Sequence, residues 1–231
     1  MTEKFIIENK VLVDHEVPFE EAVDLVIPQG VLALGENVFR GYKNLQSVAI
    51  PYGVGCIDTA AFQSCTGLTS LVIPGSVRII CATAFDYCEN LRSVVMEKGV
   101  LNICSYAFSN CDKLVAVTIP DTVKDLGEGV FSGCSSLASV TIPGSVAVIP
   151  ENAFCLCRAM QFAVIENGVM AILDEAFADC SGLKTIMIPE SVRKIAPNAF
   201  AFCTDLTIHA PAGSVAEQFA KEQGIRFVAI G

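Results

Sequence analysis

Residues 62–80 read FQSCTGLTSLVIPGSVRII, and residues 131–149 read FSGCSSLASVTIPGSVAVI. The two stretches share the Phe, the Cys three residues on, the Leu three further, and the closing Ile-Pro-Gly-Ser-Val. Working outward in both directions, Phe recurs at 39, 62, 85, 108, 131, 154, 177 and 200, always 23 residues apart. Cys stands three residues after each of these except the first, where Tyr42 takes the place. Val, Leu, Ala or Ile then alternates with a second apolar position, as in Leu71 and Ile73 or Val140 and Ile142. Searching for such self-similarity comes before any other reading of a chain, because a fixed period dictates the architecture.

Each part of the unit has a physical meaning. Ala61, Phe62, Cys65 and Leu68 are related by steps of three and four, the spacing of one face of a short helical turn. Leu71 and Ile73 alternate with Ser70 and Val72, the period of a strand. The Pro that usually follows has no N–H to give a ladder and ends the strand. Val77 and Ile80 then mark a second short extended piece. A unit of 23 residues cannot close a core alone, whereas stacked copies bury one continuous core and pair their strands in parallel. The predicted fold is therefore a β-rich solenoid, with one short parallel strand, a turn, a second extended piece and a short helical turn per coil.

The pattern F-x-x-C-x-x-L-x-x-V-x-I-P-x-x-V-x-x-I resembles that of the BspA-like leucine-rich repeat proteins. The resemblance covers essentially the whole chain. Its departures are Tyr42 in the Cys column, and Glu97 and Glu166 where Pro is usual, in MEKGV and IENGV; those two turns are expected to differ from the rest. The expected organisation is one leucine-rich repeat domain over 1–231. It comprises an N-terminal cap (1–24), repeats (25–208) and a C-terminal cap (209–231). In the first cap, Phe5–Ile7 and Val11–Val13 read as a hairpin, followed by a truncated first repeat at Leu25, Ile27 and Pro28. In the second, Ser214 to Glu217 reads as a capping box, opening a helix to Gln223. Gly224 suits the position after its end, and a last strand follows to Ile230.

Composition bounds the function. The formal charge is -10, from 15 Lys and Arg against 25 Asp and Glu, which argues against a nucleic-acid binder. Hydrophobic residues make up 52% of the chain and charged ones 17%, so the chain must bury a large core. The longest uncharged stretch, 129–150, carries Gly, Pro and Ser and repeats its neighbours, which speaks against membrane insertion. No basic segment followed by an apolar run opens the sequence, so a secretory leader is not expected in it.

The chain holds 11 Cys and 2 His, the residue types best suited to thiol, metal or acid–base chemistry. The thiols of the main column are read as small buried hydrophobes with weak S–H donors beside turn backbone. Two other readings are weaker: a thiolate metal site at Cys155, Cys157 and Cys180, and a bridge between Cys81 and Cys104. Because His15 and His209 lie near opposite ends, no Cys-His or Ser-His-Asp unit can assemble. Asp174-Glu175 and Glu20-Glu21 read as solvated surface. No catalytic residue, cofactor site or metal site is expected.

The strand positions that alternate with the core form two uncharged columns. One runs Ser47, Ser70, Ser93, Ala116, Ser139, Phe162 and Thr185; the other runs Ala49, Val72, Val95, Thr118, Thr141, Val164 and Met187. An uncharged strip in so acidic a chain suggests a surface meant to be covered. The candidate contact residues are Phe162, Val164, Met187, Val72, Val95, Thr118 and Thr141, with Phe162, Val164 and Met187 as the anchor. The resemblance implies a bacterial, cell-surface or secreted scaffold that binds proteins, with a host extracellular matrix protein among the partners. The alternative is a structural or self-assembling protein whose strand face forms a homodimer.

Overall fold

A computed structural model describes residues 5–16 and 23–231. The Glu20-Glu21 pair and parts of the expected N-terminal cap lie outside the described residues. The rest is a solenoid of repeated coils, each with three sides: a longer parallel strand, a two-residue parallel strand, and a run of turns.

The first side carries the longer strands. Val23–Val26 pairs with Leu45–Ala49, and Ser70–Ile73, Ser93–Met96 and Ala116–Thr118 form a parallel ladder. Ser139–Ile142, Phe162–Ile165, Thr185–Met187, Thr207–Pro211 and Arg226–Ile230 form another. From Ser70–Ile73 to Ala116–Thr118 and from Ser139–Ile142 to Thr185–Met187 partners are 23 residues apart, as in Ser70 opposite Ser93, so the period of the sequence is the register of the sheet. The second side is a parallel ladder of two-residue strands, from Ala33–Leu34 through Asp125–Leu126 and again from Val148–Ile149 through Lys194–Ile195. The predicted hairpin, Phe5–Glu8 with Val11–His15, joins the near edge of this side through Val11 and Leu12. Asn9 and Lys10 both have positive φ (49° and 67°), the combination a tight two-residue hairpin requires.

The third side is where the helical turn was expected. It consists of consecutive hydrogen-bonded turns, and alternate residues look in different directions. In one coil the N–H groups of Ala84, Asp86 and Cys88 donate within the coil to the carbonyls of Cys81, Thr83 and Phe85. Those of Thr83, Phe85 and Tyr87 donate to Ser105, Ala107 and Ser109 of the next coil, at 2.8–3.0 Å. To aim its N–H along the solenoid, one residue at each end of the run turns left-handed: Thr83 and Tyr87 have φ of 54° and 57°. The same two positions repeat coil after coil, as at Ala60 and Ser64 or Asn152 and Leu156. From Thr83 to Cys88 every N–H is used, at the cost of left-handed backbone that side chains disfavour by about 1–2 kcal/mol each.

The core is a stack of rings. Successive Phe rings from Phe39 to Phe200 lie 5.1–5.6 Å apart and within 20° of parallel. His15 closes one end, 4.8 Å from Phe39, and Phe219 of the C-terminal helix closes the other, edge-on to Phe200 at 5.9 Å. That helix spans Val215–Gln223; Ser214 Oγ accepts from Glu217 N–H, and Gly224 ends it left-handed at φ 67°. The Glu217 carboxylate reaches back one residue beyond the cap, accepting from Gly213 N–H at 2.6 Å.

The cysteine column is tied to this stack. Cys65, Cys88, Cys111, Cys134, Cys157, Cys180 and Cys203 are buried, and each Sγ donates to the Phe carbonyl 26 residues earlier, at 3.1–3.3 Å. Burial pushes the Cys65 thiol up to about 12. In the first coil the Tyr42 ring takes the place of the thiol. The ring packs beneath His15, at 5.5 Å. The two Glu-for-Pro turns also have a reason. Glu97 and Glu166 accept the N–H of Gly75 and Gly144 in the preceding coil, at 2.9 and 3.2 Å. The coils approach so closely there that a Cβ on Gly99, whose φ is 138°, would lie 1.9 Å from the Gly75 oxygen.

Candidate interaction surface

The strand face is built by alternation. On Ser70–Ile73, Leu71 and Ile73 are buried while Ser70 and Val72 are exposed, and Ser139–Ile142 repeats the pattern. Register then sets equivalent side chains beside one another. Val72, Val95 and Thr118 are adjacent across three strands, and Thr141, Val164 and Met187 across the next three. Of the sequence-derived candidates, Val72 and Val95 are 55% and 52% exposed, Phe162 is 38% and Met187 is 36%. Thr118 and Thr141 are exposed and Val164 is half-buried. All seven share one side of the solenoid, in two groups of neighbours with Phe162 beside Ser139 and Thr185.

The structure extends the face beyond the columns read from sequence. Val26 pairs with Ala49 at one end, and His209 and Val228 continue from Met187 at the other. Its outer column ends on Asp24 and Arg226, so the charges sit at the rims. The C-terminal strand was legible as a strand, but its register was not, since the 23-residue period stops before it. A shallow groove of about 370 Å³ opens where the ladder is interrupted between Leu45–Ala49 and Ser70–Ile73, lined by Ser47, Ala49, Ser70, Val72 and Glu97.

Among the described residues the titratable groups assemble no second site. His15 is packed on Phe39 and Tyr42, and burial holds its imidazole below the ordinary value. His209 lies on the strand face near the opposite end. Asp86 is buried and accepts from Gln63, Ser109 and Asn110, a structural tie between three coils. Among the described residues no group of three or more His, Cys, Asp or Glu could hold a metal ion, and Cys157 and Cys180 are engaged with Phe carbonyls. No helix among the described residues is long and apolar enough to cross a membrane. The bridge considered between Cys81 and Cys104 gives way to another pair. The thiols in contact are Cys56 and Cys81, Sγ to Sγ 3.8 Å. Cys81 and Cys104 are equivalent positions one coil apart, held near the ladder spacing, whereas Cys56 lies diagonally across a corner.

Comparison with known proteins fits this architecture. The family model for the BspA type leucine-rich repeat region, six copies long, matches residues 19–137 and 78–207. The chain belongs to the BspA-type leucine-rich repeat family. Among solved structures it is similar to the leucine-rich repeat protein TpLRR of T. pallidum, at 21% identity, with 99% of this chain and 97% of that one covered and a TM-score of 0.66. A leucine-rich repeat protein from Eubacterium ventriosum is 18% identical over 78% of this chain and 59% of that one, with a TM-score of 0.60. These likenesses concern the fold. No curated protein matches the chain. BspA-type membership makes this a repeat-protein scaffold.

Proposed function

We propose that this scaffold is a single, non-catalytic binding domain whose strand face engages a protein partner, with adhesion to host matrix proteins as its task. The observation that carries the reading is the uncharged strand face itself. Ten successive strands present Val, Thr, Ala, Ser, Met and Phe toward solvent in a chain of net charge -10, with charge confined to the rims. Such a strip removes little hydration when covered and leaves the acidic remainder soluble. Phe162, Val164 and Met187 are the proposed anchor, and Val72, Val95, Thr118 and Thr141 the remaining contacts.

The test is Phe162→Asp, compared with the parent chain on immobilised matrix proteins and by light scattering. An unchanged circular-dichroism spectrum with at least a roughly tenfold loss of matrix binding, as expected for a central aromatic anchor, supports the reading. Loss of a concentration-dependent dimer instead would assign the face to self-association. If neither affinity nor oligomeric state moves, the face is not the binding surface.

A further inference from the structure

We infer that Cys56 and Cys81 form an oxidisable dithiol, able to close a disulfide that staples two adjacent coils on the second side of the solenoid. Cys56 opens the strand Cys56–Ile57, whose register partners are Ile79 and Ile80. Cys81 follows directly, its N–H bonded to the Ile57 carbonyl at 2.9 Å. Ile57 and Ile80 point into the core, so Cys56, Ile79 and Cys81 share the outer face by alternation. The chain bends into its turn at Cys81, which carries the sulfurs to 3.8 Å. Both thiols are half-buried rather than sealed in the core. A bond of about 2.05 Å asks the two side chains to close by only about 2 Å, within the reach of side-chain rotation.

The reaction needs a disulfide oxidant of the glutathione class. The Cys56 thiolate attacks one sulfur of the oxidant, forming a mixed disulfide and releasing the first glutathione as its thiolate. The Cys81 thiolate then attacks the Cys56 sulfur, closing the protein bond and releasing the second. Two electrons pass to the oxidant, and the protons lost by the two cysteines end on the two glutathione thiols. Burial raises both thiols above the ordinary cysteine range, with the Asp58 carboxylate adding to the effect. The pair therefore stays protonated near neutrality, and closure is expected to speed up roughly tenfold per unit of pH through the alkaline range.

The folded protein is incubated with oxidised and reduced glutathione at increasing ratios, quenched in acid, and its thiols counted after denaturation. The expected result is loss of two of the 11 thiols, a mass lower by two hydrogens, and a peptide map linking Cys56 to Cys81. A rise of a few °C in Tm should accompany it. Cys104→Ser should keep the reaction, and Cys56→Ser or Cys81→Ser should abolish it while retaining the parent circular-dichroism spectrum. Persistence of all 11 thiols at the most oxidising ratio would overturn the inference. So would a link mapped to any other pair, or glutathione adducts without a protein disulfide. Because the map is made on the parent chain, the conclusion does not depend on the variants folding.

Discussion

Two junctions between neighbouring coils differ. Where Ser93–Met96 meets Ala116–Thr118, both ladders are continuous: the longer strands pair, and so do Asn102–Ile103 and Asp125–Leu126. One coil further on, both ladders stop. Ala116–Thr118 is not paired with Ser139–Ile142, nor Asp125–Leu126 with Val148–Ile149. The turn side holds fast there, where Gly129, Phe131 and Gly133 donate to Glu151, Ala153 and Cys155 at 2.8–3.0 Å, and just ahead of the unpaired strands Ser136 and Ala138 still donate to Asp112 and Val115 at 3.1 Å. Among the parallel rings from Phe39 to Phe200 the largest spacing falls at this point, 5.6 Å between Phe131 and Phe154. Val117, inward by pattern, is only half-buried. On the second side the cause is Pro150. In the other coils this residue sends its N–H back to the preceding coil, as Gly127 does to Ile103 and Leu173 to Ile149, and proline has none to send. Near-identical repeats thus produce unequal joints, and on the second side a single missing donor separates one from the other.

The comparison can be broken most forcefully through the ring stack. Phe131→Ala and Phe85→Ala should each cost about 3–5 kcal/mol in denaturant unfolding. At the open joint, however, the stack and the turn side carry most of the coupling, since neither ladder crosses it. Phe131→Ala is therefore expected to split unfolding into two transitions, while Phe85→Ala keeps one. The closed joint is tested by Gly127→Ala, whose Cβ would lie 2.1 Å from the Ser105 nitrogen. Overpacking of that kind should cost about 2–3 kcal/mol, read as a lower denaturation midpoint with unchanged slope. Pro150→Leu, which restores the N–H found at Leu173, should gain about 1 kcal/mol and slow amide exchange at Val148 and Ile149. The smallest effect concerns one hydroxyl. Ser191 Oγ accepts from Gly168 N–H and donates to the Val169 carbonyl, whereas the buried Ser145 Oγ at the open joint finds no partner among the described residues. Ser191→Ala should cost about 1 kcal/mol and Ser145→Ala nothing or slightly less than nothing.

The coil, its register and its caps were legible because they rest on burial and on backbone donors, which leave a period in the sequence. Phe62, Cys65 and Leu71 announce themselves, and Ser214 with Gly224 marks a helix end by chemistry. The left-handed positions left only a faint mark, with Gly or Asn at some, such as Asn37, Gly41, Asn110 and Gly133. Ala60, Thr83, Glu175 and Phe202 all occupy them, since the requirement falls on the backbone and the side chain only tolerates it. The Cys56 contact was hidden for a related reason: it joins positions 25 residues apart, off the 23-residue register, and depends on how the corner bends. The exposed strand columns were legible as a face, but which partner covers them is not encoded in a pattern that Val and Thr satisfy simply by suiting a pleated surface.

The buried cysteine column gives the molecule a set of internal clocks. Seven coils each hold one thiol that is shut away for as long as its coil is closed. A brief pulse of an alkylating reagent marks a coil only while it is open, and mass spectrometry then reads which position was marked. Applied under native conditions, pulse labelling would record the order in which coils come apart along the rod, with no residue introduced for the purpose. The thiols flanking the open joint, Cys134 and Cys157, should be among the first to register.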